Sequence, residues 1–304
     1  MEKMSNEIQL GTYCLMLTLQ IIGTAMNGFI LSLFYRLPAL RTNKHMRLIL
    51  YLTITDLLFT VGELPYSIYM TSHWNSNVLN FDPRYILIAS TPLPSQLKIS
   101  AIFTISIAVS RNVALSYPGI YLKLDQENYA NVTAVIAICF AALDVTLSFL
   151  FSNFEPKPGC GSSGCFVGDS FRYYWGLSNM LLGCVVVLLS STIFVKINQH
   201  KSQALRKSAN EAKFRQANRT SLGILVSSLT FLTIPSVFVG VFEICGLSIF
   251  KLVGPFYSAS LLSSGICNAI IFIANNGDAR QRFSKKSVSN HTIIHSQAFT
   301  VHRV

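Results

Sequence analysis

The sequence predicts an all-α membrane protein: a seven-transmembrane helix bundle with its N-terminus outside and its C-terminus cytoplasmic. Three observations carry this. Of 304 residues, 51% are apolar and only 12% charged, against about 25% charged in a soluble domain, and mean hydropathy is +0.46. The apolar residues gather into seven blocks, each close to the roughly 20 residues that cross a hydrocarbon core. The cations are divided unequally between alternate loops, which sets orientation. Disordered chains, fibres and most soluble enzymes are thereby excluded.

The spans fall at about 11–35, 48–70, 86–110, 130–151, 174–197, 220–243 and 252–275. The first is too long for the apolar core of a signal peptide and ends in no small-x-small cleavage site, so it reads as an uncleaved span. Segments 36–47, 111–129 and 196–219 and the tail hold eighteen Lys and Arg, and the opposite side holds five. Cationic loops stay in the cytoplasm. The net charge of +11 therefore marks an inner face, and the basic run 196–219 reads as a loop extending two helices, with no nucleic acid as partner. Sequons at Asn131, Asn218 and Asn290 lie on that inner side and read as chance matches. No repeat is visible. One seven-span domain, 1–285, fills the chain, and 286–304 reads as a flexible cytoplasmic tail.

Polar side chains inside spans cost about 2.5–3.5 kcal/mol each on insertion scales, so they face the bundle interior. Here they are Asn27, Asp56, Glu63, Lys98, Arg111, Asp144, Glu243 and Asn268. Asp56 and Glu63, seven residues apart, share one face about 10 Å apart along the axis; each also reads as a hydrogen-bonding residue that glues helices. Lys98 lies thirteen residues before Arg111, about 20 Å along the axis. It follows Pro92 and Pro94, which are expected to kink or loosen that half of the third span. Asp144 has the opposite charge, so a structural ion pair and a ligand contact both remain open for these two. With Glu63, Tyr66 and Tyr257 they form the expected ligand site in the outer half of the bundle, where pockets between helices form. Pro235 removes a backbone hydrogen bond in mid-span, giving either a pivot or a static kink.

In the outside loop, Cys160 and Cys165 are separated by four residues that include Gly161 and Gly164, and an oxidising compartment favours a local disulfide. Cys14, Cys139, Cys184, Cys245 and Cys267 read as inert packing residues. No metal or other cofactor is implied. All six histidines lie in loops or the tail, against an intramembrane zinc hydrolase. The seventh span has no lysine for a retinal Schiff base. A seven-span transporter or channel is the alternative reading, although such proteins often show repeats and paired broken helices.

Asn27 within GTAMNG, Asp56 within LTITDLL, Arg111 within SRNVALSYP, Pro235, and Asn268 with Phe272 in NAIIF stand in order in five spans. This resembles the rhodopsin-like G-protein-coupled receptors over all seven spans, most specifically in Arg111, Ala114 and Pro118. Ser110 and Asn112 replace the family's acid and Tyr around the arginine, Ala269 its seventh-span proline, and Thr233 its usual sixth-span Trp. No cysteine stands at the outer end of the third span. With these departures, TPLPSQLKI and GCFVGDSFRYYWGLSNM resemble the nematode serpentine chemoreceptors, among which class BC is the expectation. The resemblance implies a small-molecule chemical cue bound from outside, a heterotrimeric G protein as partner, and the plasma or ciliary membrane of a chemosensory neuron. It implies a polar switch network of Asn27, Asp56, Arg111 and Asn268. It also implies G-protein contacts at Arg111, Pro118, Tyr121, Lys213, Arg215 and Arg219. The family holds its arginine at rest with two acids. Ser110 replaces one and Arg215 falls where the other is expected, so Arg111 is expected to be weakly held; the rival expectation pins it on Asn268 or Asp125.

Overall fold

The structure, a computed structural model, describes residues 2–75, 79–152, 154–200, 209–246 and 255–277, with backbone alone for 2–6, 197–200 and 209–215. Seven helical spans are long and apolar enough to cross a membrane: Glu7–Arg36, Lys44–Ser72, Pro83–Ser116, Gln126–Leu150, Asp169–Lys196, Gln216–Ile244 and Phe256–Asn275. They match the seven apolar blocks to within a few residues. The expected tail 286–304 lies outside the described residues. Large apolar side chains such as Leu58, Val135, Leu188 and Phe238 are exposed on the bundle's flanks. This surface suits lipid, in which only internally hydrogen-bonded helices or closed barrels can span.

Proline and capping residues set where helices begin. Asp82 accepts the Arg84 N–H at 3.0 Å just ahead of Pro83, and Asp125 accepts the Glu127 N–H at 3.2 Å. Each side chain satisfies a donor that the first turn leaves unpaired. The second span is divided at Glu63, between helices Arg47–Gly62 and Leu64–Ser72, where Pro65 has no N–H to continue the ladder. The third span is likewise divided, but before its prolines: Pro83–Ala89 ends at Ser90, and an unbroken helix runs Pro92–Ser116. Pro92 and Pro94 occupy the first turn, where a missing N–H costs nothing. They begin that helix and do not kink it; the span is instead interrupted just ahead of them, at Ser90 and Thr91.

In the sixth span, helix Ala209–Ser228 passes through a π turn at Leu229–Thr233 into helix Ile234–Ile244. Pro235 cannot donate to the Phe231 carbonyl four residues back. The Ser260 hydroxyl of the seventh span donates to that carbonyl at 2.6 Å. The Ser236 hydroxyl donates to the Leu232 carbonyl at 2.7 Å and shares a hydrogen bond with the Tyr257 hydroxyl at 2.5 Å. The stretch around Pro235 is thus tied to the seventh span at two points.

Two apolar cores lie along the bundle, one including Tyr66, Leu97, Trp175 and Tyr257 and the other Leu52, Ile107, Ile224 and Phe272. Between them, at mid-height, sits a belt of buried polar groups that includes Gln20, Asp56, Gln96, Thr104 and Asn268. Gly265 faces this belt: a Cβ there would stand 3.3 Å from the Asp56 carboxyl carbon, so glycine lets the second and seventh spans approach. Four of the free cysteines, Cys14, Cys139, Cys184 and Cys245, are exposed on the bundle surface. That corrects their expected role as packing residues.

Candidate functional site

The loop between the fourth and fifth spans closes one end of the bundle. Cys160 and Cys165 are joined by a disulfide, and Ser162, Ser163, Cys165 and Phe166 are all buried. The Tyr13 hydroxyl of the first span donates to the Gly161 carbonyl at 2.7 Å. The Ser163 N–H donates to the Tyr66 hydroxyl of the second span at 3.2 Å. At the loop's exit, the Arg172 guanidinium donates to the Gly164 and Val167 carbonyls and pairs with Asp169. The loop's two ends touch: a Cβ on Gly168 would overlap the Phe151 carbonyl oxygen.

All five residues expected to bind ligand lie in this half, buried beneath the loop, and they fall into three separate groups. Glu63 accepts the Ser258 hydroxyl at 3.0 Å, next to Tyr66. Tyr257 lies against Trp175, with ring centroids 5.3 Å apart. Lys98 pairs with Asp144 at 3.3 Å and donates to the Ser178 hydroxyl at 3.0 Å, while the Tyr174 hydroxyl donates to Asp144 at 2.9 Å. With both charges at most 2% exposed, this pair binds the third, fourth and fifth spans together. Breaking one partner of such a pair costs about 3–5 kcal/mol.

None of the five lines the cleft that lies under the loop between the third, fourth and fifth spans. That cleft, narrow inside and open at its mouth, is bounded by Leu87, Leu93, Ser148, Phe171 and Trp175, with Arg172 at its edge. Ion pair and cleft are nevertheless neighbours by helical spacing. Pro94, also on its wall, is four residues from Lys98, Ser148 is four from Asp144, and Trp175 is three from Ser178. Each is one turn, about 5.4 Å, from its partner.

A family model described as the serpentine type seven-transmembrane G-protein-coupled chemoreceptor Srbc matches residues 6–274. The chain belongs to the Srbc family. No curated protein gives a significant match. The Srbc family is one of receptors, not enzymes, and this member is a multi-pass membrane protein of seven helices.

In this Srbc chain the expected polar network is only partly joined. Asp56 accepts the Asn268 amide at 3.3 Å and the Gln96 amide at 2.8 Å, with Gln96 also donating to Ser100 at 3.1 Å. Gln96 was not expected; a glutamine one turn from Ser100 gave no sign of its partner on another helix. Asn27 is buried but donates to the Gly23 carbonyl of its own helix at 3.0 Å. Arg111 stands apart, at the opposite end from the disulfide loop.

Arg111 is 3% exposed. Its hydrogen-bond partner is Tyr121, on the short helix Pro118–Lys123, and the Tyr121 hydroxyl lies 2.9 Å from His45 Nδ1. Neither rival partner is engaged: Asn268 donates to Asp56, and Asp125 caps the fourth span and faces Lys44 at 3.9 Å. Asn112, in place of the family's Tyr, fastens the third span to the fifth, donating to the Leu189 carbonyl and accepting from Thr192. Of the other expected G-protein contacts, Pro118 and Arg219 are exposed and Tyr121 is turned inward. The side chains of Lys213 and Arg215 lie outside the described residues.

Proposed function

We propose that this Srbc chain is a chemosensory receptor that binds a small molecule from outside and activates a heterotrimeric G protein. Its N-terminus and disulfide loop face outward, and its C-terminus faces the cytoplasm. The membrane is the plasma membrane or its ciliary extension in a chemosensory neuron. One observation supports this above the rest: Arg111 Nε and Nη1 are buried with no hydrogen-bond partner among the described residues. A buried guanidinium with unmade bonds is costly, and a helix of a G protein entering at that end supplies acceptors. A ligand in the opposite half shifts the two-state equilibrium by its differential affinity for the two states.

The ligand site is placed in the outer half, at the cleft beneath the loop, with Glu63, Tyr66, Lys98, Asp144 and Tyr257 buried around it rather than lining it. The test is signalling in cells carrying a promiscuous G protein, comparing wild type, Arg111→Ala and Lys98→Met at matched surface expression. Arg111→Ala is expected to abolish basal and agonist-driven activation. Equal signalling by wild type and Arg111→Ala overturns the receptor reading. Lys98→Met is expected to weaken a screened agonist at least tenfold; an unchanged dose–response assigns Lys98 to structure alone.

A further inference from the structure

The fifth span presents a continuous inward face of Trp175, Asn179, Gly183, Val186 and Ser190, all buried, at the spacing of one helical stripe. Asn179 is out of place on it. At 4% exposure, neither its amide oxygen nor its amide nitrogen has a hydrogen-bond partner among the described residues. Several of the polar groups nearby are engaged. Lys98 is held by Asp144 and Ser178, and Tyr174 by Asp144. Ser236 and Tyr257 bond each other across the sixth and seventh spans. Thr233 and, on the same stripe, Ser190 also have buried hydroxyls without a hydrogen-bond partner among the described residues; the Thr233 methyl would lie 3.1 Å from a Cβ on Gly183, one turn below Asn179. Buried amides nearly always have partners. One with both its donor and its acceptor unmet, one turn beneath the Trp175 wall of the cleft, is suited to a ligand that offers both.

Charge narrows the class further. Lys98 and Asp144 neutralise each other, and Arg172 faces Asp169 and, at 3.9 Å, Glu243. The cleft therefore offers no uncompensated cation or anion to a charged ligand. Glu63, whose second carboxylate oxygen lacks a hydrogen-bond partner, stands on the second span and is bonded to the seventh span's Ser258; it does not line the cleft. Phe171 and Trp175 give the walls flat apolar faces.

We propose that Asn179 is the polar anchor of the ligand site and selects small, uncharged molecules with a flat apolar body and one head that both donates and accepts hydrogen bonds. This rests on the receptor reading and names the ligand class for it. Such a molecule lies against Trp175 and Phe171 and directs its amide or hydroxyl at Asn179.

The test uses the full-length protein in lipid nanodiscs and measures thermal unfolding with five probes: benzamide, benzyl alcohol, toluene, benzoate and benzylammonium. Benzamide and benzyl alcohol are expected to raise the wild-type Tm by about 2–4 °C at saturation; toluene and the two ions are not. Asn179→Leu keeps the side-chain volume and removes both polar atoms. It is expected to raise the Tm of the probe-free protein, because two unmet polar groups disappear, and to erase the benzamide and benzyl alcohol shifts. Asn179→Ala gives the same erasure should the leucine variant fail to reach the membrane. The proposal is overturned by equal shifts from toluene or either ion, by neutral-probe shifts that survive in Asn179→Leu, or by no shift with benzamide or benzyl alcohol. A fall in probe-free Tm on Asn179→Leu also overturns it, since the amide then has a structural partner. Binding is read without G protein, and the receptor reading is judged by agonist-free coupling of wild type against Arg111→Ala. Either can therefore fail without the other.

Discussion

Arg111 shows how one residue is restrained without the acids that its neighbourhood lacks. Ser110 cannot pair with a guanidinium, and its buried hydroxyl has no hydrogen-bond partner among the described residues. Tyr121 supplies the bond instead, and its own hydroxyl is fixed by His45. A neutral phenol is a weaker restraint than a carboxylate, which adds the attraction of an opposite charge to the hydrogen bond. We expect Tyr121→Phe to raise agonist-free G-protein activation several-fold, because a lost hydrogen bond of about 1 kcal/mol shifts a two-state equilibrium about fivefold. Ser110→Asp, which places an anion beside Arg111, is expected to lower it below wild type. Resonance energy transfer between receptor and G protein at matched expression measures both. Basal activity that is level in Tyr121→Phe and level or raised in Ser110→Asp removes the restraint from this residue pair.

Among the elements, the sixth span carries the clearest mechanical feature. Sequence left Pro235 open between a pivot and a static kink. The structure adds a π turn on one side of it and a Ser260 hydroxyl on the Phe231 carbonyl. A carbonyl deprived of its helical donor by proline and served by a neighbouring helix is a bond that movement of the sixth span has to break. Ser260→Ala is expected to lower the Tm by a few degrees and raise basal signalling. In a Pro235→Ala background the regular N–H returns, and the same change is expected to have little effect. A double-mutant cycle on Tm measures the coupling, expected near 1 kcal/mol; strict additivity separates the proline from the serine.

For the whole molecule, the inequality of eighteen cations against five argues for an inner face at the Arg111 end. An N-terminal epitope is expected to bind antibody on intact cells and a C-terminal one only after permeabilisation. Surface labelling of the C-terminus on intact cells reverses the orientation. Much of the architecture was legible in the sequence because a bilayer imposes one length on every element, so Leu-rich blocks declare themselves. Asp56, Asn268, Lys98 and Asp144 were legible too, since charges and amides stand out against an apolar span. What was hidden depends on relations between helices. Gln96, Ser260 and Tyr121 are ordinary residues alone and acquire meaning only from the Asp56, Phe231 and Arg111 groups that the packing sets against them. Asn179 was passed over among the polar residues of the spans, and only the packed bundle reveals that it has no hydrogen-bond partner among the described residues.

The disulfide loop closes on itself. Its bridge spans Cys160 and Cys165 alone, and Gly168 brings its exit onto Phe151 at its entrance, the closed outline of a compact Ω-loop. Nothing covalent fastens it to the third span. Such a segment tolerates new chemistry along its exposed stretch, 154–159, while Gly161, Ser163, Cys165 and Phe166 keep their fit to the first and second spans. Variation among related chains is therefore expected to gather in that exposed stretch, with the glycines at 161 and 168 kept.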